Sequence, residues 1–124
     1  MDISIIVPLY NEAESLPKLY EWIVRVMQEH GYRYEILFVN DGSTDDTANI
    51  LDGLSENSEE YHLDVIHQQN KGVSSARNAG IRQAKGDWIW FVDADDSITD
   101  DSISHISEIL TSICEGGAIY VQTA

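Results

Sequence analysis

The chain has 124 residues, with 22 acids against 7 bases and a formal net charge of −15. That length leaves room for one domain, and that charge argues against a general nucleic-acid or anionic-membrane surface. A hydrophobic content of 43% with clear periodicity excludes a disordered chain.

The first apolar run, residues 3–7 (ISIIV), is β-branched and ended by Pro8, which reads as a buried strand. Leu16, Leu19, Tyr20, Ile23 and Met27 then follow the spacing of an amphipathic helix, with Ser15 as N-cap, Pro17 in the first turn and Gly31 past the end. Residues 35–39 (EILFV) form a second strand. Ser43 or Thr44 is expected to cap the next helix, with Asp45 and Asp46 in its first turn and Ile50, Leu51 and Leu54 on its apolar face. Residues 63–67 make a third strand. A helix with the small-residue face Val73, Ala76, Gly80 and Ala84 follows, ended by Gly86 and suited to lie close against a sheet. Residues 88–92 (WIWFV) are a fourth strand. A last helix opens at Asp100 or Asp101, with Ile103, Ile106, Leu110 and Ile113 on one face, and residues 118–121 begin a fifth strand.

Strict alternation with short connections implies an α/β fold, an open, mostly parallel, doubly wound sheet with right-handed crossovers. In such a sheet ligands bind beyond the carboxyl ends of the strands. The polar clusters all fall on that rim: Tyr10-Asn11-Glu12, Asn40-Asp41-Gly42-Ser43, Gln69-Asn70-Lys71, and Asp93 to Asp96. A solvated loop explains any one of them but explains their coincidence poorly.

There is no GxGxxG after the first strand and no GxxxxGK[ST], which speaks against a dinucleotide-binding dehydrogenase or a P-loop enzyme. Asp41 is either a ligand for a donor group or part of a tight turn feeding a helix cap. FVDADDS, residues 91–97, is sharper. Two carboxylates ~4 Å apart repel by roughly 1 kcal/mol in water and more where partly buried. A hard cation, Mg²⁺ or Mn²⁺, would offset that and share its remaining positions with water and phosphate oxygens. An EF-hand is excluded, because Ile98 and Ser104 stand where its glycine and glutamate belong.

The segments SIIVPLYNE (4–12), VNDGSTD (39–45), NKGVSSARNAG (70–80) and FVDADD (91–96) resemble, in order and spacing, the family 2 glycosyltransferases of the GT-A fold. The resemblance covers essentially the whole chain. It implies a nucleotide-diphospho-sugar donor, most often a UDP-sugar, a saccharide or lipid-linked acceptor, and Mn²⁺ or Mg²⁺. By the same resemblance Pro8, Tyr10, Asn11 and Glu12 line the nucleotide pocket and Asp41 contacts the base. Lys71 and Arg77 hold the base or the phosphates. Asp93 and Asp95 form the DxD motif, with Asp95 closest to the metal, Asp93 near the ribose or a bound water, and Asp96 supporting the metal or the sugar. The family's catalytic base lies in a later half of the domain, so residues 1–124 are expected to carry donor binding, with the base beyond Ala124.

FVDADDS also resembles the first motif of haloacid-dehalogenase phosphatases, but that motif belongs after a first strand, not a fourth. A non-catalytic nucleotide-sugar or metal-binding module is the alternative from another class. Cys114 alone permits no internal disulfide and fits a reducing compartment. No apolar run approaches the roughly 18 residues of a membrane span, and MDISIIVPLY lacks a signal peptide's basic flank. The chain therefore reads as soluble and cytoplasmic, with membrane association left to a larger parent protein. The fifth strand at a sheet edge invites pairing between copies. His30, His62, His67 and His105 show no ligand spacing and read as structural or surface residues.

Overall fold

The computed structural model describes residues 2–31, 33–56, 62–93 and 117–120. The elements are β1 (Ile3–Leu9), α1 (Leu16–His30), β2 (Tyr34–Asp41), α2 (Thr47–Glu56), β3 (His62–Gln68), α3 (Val73–Gln83), β4 (Trp88–Phe91) and β5 (Gly117–Tyr120). The helix expected from Asp100 or Asp101 lies outside the described residues, as does Cys114.

All five strands are parallel, in the order β3-β2-β1-β4-β5. Parallel strands need crossovers, so both faces of the sheet are covered and the central strands lose the polar alternation of a half-exposed one. Ile3, Ile5, Val7 and Leu9 of β1 and Ile36 and Phe38 of β2 turn to one face, where α1 supplies Leu16, Leu19, Ile23 and Met27 and α2 supplies Leu51. On the other face Ala76 and Ala79 of α3 pack against Val39. The small-residue helix is therefore the one that approaches the sheet closely, as its sequence suggests. Val73 departs from that face and is half exposed, because α3 begins there and its first residue overhangs the sheet's rim.

Several boundaries differ from the sequence reading. Pro8 does not stop β1, which continues to Leu9. The Ile6 carbonyl accepts the Val92 N–H at 3.0 Å, so Ile6 hydrogen-bonds toward β4. Pro8, two residues on, faces the same way but lies past the last pair, Ile6↔Phe91. Its missing N–H therefore costs no ladder bond. Helix α2 starts at Thr47 and has no acid in its first turn. Asp45 stands before the helix and accepts the Thr47 N–H at 2.9 Å, taking the capping work expected of Ser43 or Thr44. Ser15 occupies the N-cap of α1, but its hydroxyl donates to Glu12 Oε2 at 2.9 Å. Helix α3 ends at Gln83, before Gly86, where a Cβ would stand 2.6 Å from the Ser4 nitrogen.

Strand order places the topological switch between β1 and β4. From β1 the chain winds through α1 and α2 toward β3 on one face, then returns over the other face through α3 to β4. Neighbouring loops diverge at such a point and leave a crevice at the carboxyl ends of the strands.

Candidate functional site

A cavity of about 510 Å³ opens at that crevice. Pro8, Leu9, Tyr10 and Glu12 line it from the end of β1, Asp41 from β2, and Asp93 from just after β4. Asn70, Gly72, Val73, Ala76 and Arg77 close it from the β3–α3 loop and the first turns of α3. Three carboxylates and one guanidinium thus face one space, with Tyr10, 48% exposed, and Val73 as apolar surface beside it.

Asp41 sits at the end of a strand buried along its whole length. Its Oδ1 accepts the Gln68 Nε2–H and the Lys71 N–H, both at 2.9 Å, and its Oδ2 accepts the Gly72 N–H at 3.0 Å. Burial by itself would raise the carboxyl pKa, but these three hydrogen bonds outweigh it and hold the group below its ordinary value. Asp41 is therefore a charged anchor that shapes the β3–α3 loop, and it lines the cavity with lone-pair capacity left on Oδ2. Gly42 follows at φ +74°, where a Cβ would stand 2.6 Å from the Asn70 nitrogen, so only glycine lets the two loops meet.

Arg77 Nη2 donates to Asp93 Oδ1 at 3.1 Å and Oδ2 at 3.2 Å. Its guanidinium lies 5.8 Å from the Phe91 ring centroid, within cation–π range. Both partners of this ion pair are about a quarter exposed, at 25% and 27%. Asp93 thus carries a positive neighbour on one side and open cavity on the other.

Two of the expected site residues are placed otherwise. Lys71 gives its backbone N–H to Asp41, while its side chain is exposed and outside the cavity lining. Asn11 lies between two lining residues, but its own side chain turns to the β2–α2 loop. Asp95 and Asp96 lie outside the described residues. Among the described residues no group of three His, Cys, Asp or Glu side chains could hold a metal ion. Asp93 fits as one carboxylate ligand facing the cavity, of the kind that binds Mg²⁺ or Mn²⁺ together with phosphate oxygens and water.

The sequence reading missed a bracing network beside the cavity. Asn40 Oδ1 accepts the Ser43 N–H at 3.0 Å, so its Nδ2 donates to His67 Nδ1 at 3.1 Å. That places the imidazole proton on Nε2, which lies 2.9 Å from Asp52 Oδ1. His67 is thus a structural strut joining β2, β3 and α2. Its partners are 15 and 27 residues away, so no local spacing could reveal them.

An open parallel sheet with a cavity over its switch point, lined by Glu12, Asp41, Arg77 and Asp93, is the arrangement of an α/β protein that binds its ligand beyond the carboxyl ends of the strands. The model for "Glycosyl transferase family 2" matches residues 4–123, and the chain belongs to that family. Over 93 residues it is 37% identical to the undecaprenyl-phosphate 4-deoxy-4-formamido-L-arabinose transferase of Proteus mirabilis, covering 75% of this chain and 28% of that protein. It is 38% identical over 106 residues to the uncharacterized glycosyltransferase EpsJ of Bacillus subtilis, covering 86% of this chain and 29% of that one. The structure of S. aureus TarS 1–349 in complex with UDP-GlcNAc superposes with a TM-score of 0.72 at 27% identity, covering 90% of this chain and 32% of TarS 1–349. The fold is that of the GT-A glycosyltransferases. The chain spans less than a third of the length of these relatives.

Proposed function

We propose that residues 1–124 form the donor-binding part of a glycosyltransferase that moves a sugar from a nucleoside-diphospho-sugar, a UDP-sugar, to a saccharide or lipid-linked acceptor. The carrying observation is the cavity at the β1/β4 switch point, into which Glu12, Asp41, Arg77 and Asp93 all project from separate family motifs. The TarS complex with UDP-GlcNAc supports the donor class, and the undecaprenyl-phosphate transferases support a polyprenyl phosphate as acceptor.

In this reading Tyr10 offers its ring to the nucleobase, and Asp41 accepts a hydrogen bond from it with the capacity left on Oδ2. Asp93 accepts from the ribose or holds a water, and Arg77, pinned beside it, neutralises phosphate charge. When bound, Mg²⁺ or Mn²⁺ would supply Lewis-acid stabilisation of the departing diphosphate. Asp93 and Asp95 are the residues proposed to hold it.

The test is thermal unfolding of the chain with Mn²⁺ alone, UDP alone, and both. Ligand at about 100 times its dissociation constant stabilises by roughly 2.7 kcal/mol, several degrees for a domain of this size. A shift with both present that exceeds the sum of the separate shifts is expected, and it should vanish in Asp93→Ala. No shift under any condition in a cooperatively folding chain would overturn the reading.

A further inference from the structure

Asn11 was expected to line the pocket, yet it does not. Among the described residues it is the one non-glycine with a positive φ, 53°. That backbone is unfavourable for most L-residues and best tolerated by Asn and Asp. The conformation swings the Asn11 amide across to the β2–α2 loop. There Oδ1 accepts the Thr44 N–H at 2.7 Å and the Asp45 N–H at 3.3 Å, with the Thr44 hydroxyl at 3.4 Å.

The second loop answers in kind. Ser43 Oγ accepts the Asn11 N–H at 2.9 Å, Thr47 Oγ1 the Glu12 N–H at 3.1 Å, and Asp45 Oδ2 the Ala13 N–H at 3.3 Å. Three successive backbone donors of an irregular loop, which would otherwise need water, are taken by three side chains of its neighbour. Each bond is partly or wholly exposed and weak by itself. Together they tie two loops, more than 30 residues apart in sequence, to one another.

The residues on either side of Asn11, Tyr10 and Glu12, both line the cavity, and Asp41 lines it from the strand that feeds the other loop. Sliding one loop against the other would change the separation of Tyr10 and Glu12 from Asp41. We propose that Asn11 is a positioning residue: its left-handed backbone and side-chain amide lock the β1–α1 loop to the β2–α2 loop and so fix the width of the donor cavity. This inference rests on the donor-binding reading.

Asn11→Gly permits the same left-handed backbone without strain and removes the clamp oxygen, whereas Asn11→Asp keeps an acceptor. Ser43→Ala removes a return bond only and serves should Asn11→Gly fold poorly. Two measurements are made on the ligand-free and UDP/Mn²⁺-bound chain. Amide hydrogen exchange in Asn11→Gly should quicken about tenfold at Glu12 and Ala13, whose N–H groups are accepted by Thr47 and Asp45 and not by Asn11, with the β2 amides of Ile36 and Phe38 unchanged. UDP affinity by calorimetry should fall about tenfold in Asn11→Gly, by a smaller factor in Ser43→Ala, and recover in Asn11→Asp. A purely structural residue would lower the melting temperature without moving UDP affinity at temperatures where the chain is fully folded. Unchanged exchange at Glu12 and Ala13, or loosened loops with unchanged UDP affinity, would overturn the positioning role. Failure of the unaltered chain to bind UDP would instead sink the donor reading, and the exchange result would still decide whether Asn11 locks the loops.

Discussion

Gly80 of α3 lies so close to Ile6 of β1 that a Cβ on it would stand 2.5 Å from Ile6 Cγ2. Ile6 is fully buried and cannot yield toward solvent. Alanine normally favours a helix interior over glycine by about 1 kcal/mol. Here overpacking should outweigh that gain, and Gly80→Ala should lose roughly 1–3 kcal/mol in urea denaturation. An unchanged or raised midpoint would show that α3 can lift off the sheet without cost. Because Arg77 and Ala76 ride on the same helix, the variant should also weaken UDP binding.

Glu35 is fully buried at the end of the sheet opposite the cavity. Its Oε2 accepts the Ser4 hydroxyl and the Lys85 N–H, the latter at 2.6 Å, while Ser4 Oγ accepts the Gly86 N–H at 2.7 Å. One carboxylate thus ties the α3–β4 connection to β1 and β2. Glu35→Ala strands the buried Ser4 hydroxyl and the partly buried Lys85 N–H and opens a void, a loss of about 2–4 kcal/mol. Glu35→Gln retains an acceptor oxygen and should remain within about 1 kcal/mol of the parent. Equal damage from both, read in the same denaturation experiment, would mean that the charge and not the acceptor geometry holds the loop.

Asp41 carries a pH signature. Its folded pKa lies below its unfolded value, near the usual Asp value of about 3.9. It therefore contributes stability that is present above the unfolded pKa and lost as pH falls through the folded one. Asp45, held down mainly by its hydrogen bonds with Thr47, acts in the same direction. Melting temperature should decline as pH drops below about 4, and Asp41→Asn should flatten that decline without abolishing it. A variant with the parent's full acid slope would show that Asp41 does not contribute.

The strands and helices of the first 93 residues were legible because their signals are local. Residues 36–39 are apolar enough to need cover on both faces, and Leu16, Leu19, Ile23 and Met27 recur at helical spacing. Gly31 ends α1 as expected, with its N–H on the Met27 carbonyl at 3.1 Å. Pro8 misled because its cost depends on which neighbour its nitrogen faces, and that follows from the offset between β1 and β4.

By itself the sequence determined that this is an alternating α/β chain with its polar clusters on one rim, because periodicity and turn chemistry act over a few residues. Only the tertiary structure decided what each cluster does. Asp41 spends most of its acceptors on the backbone of residues 30 and 31 positions away, and Asn11 faces a loop 33 positions away instead of the cavity. Hydrogen bonds are directional and short, so their partners are fixed only when the strand order β3-β2-β1-β4-β5 sets distant loops side by side.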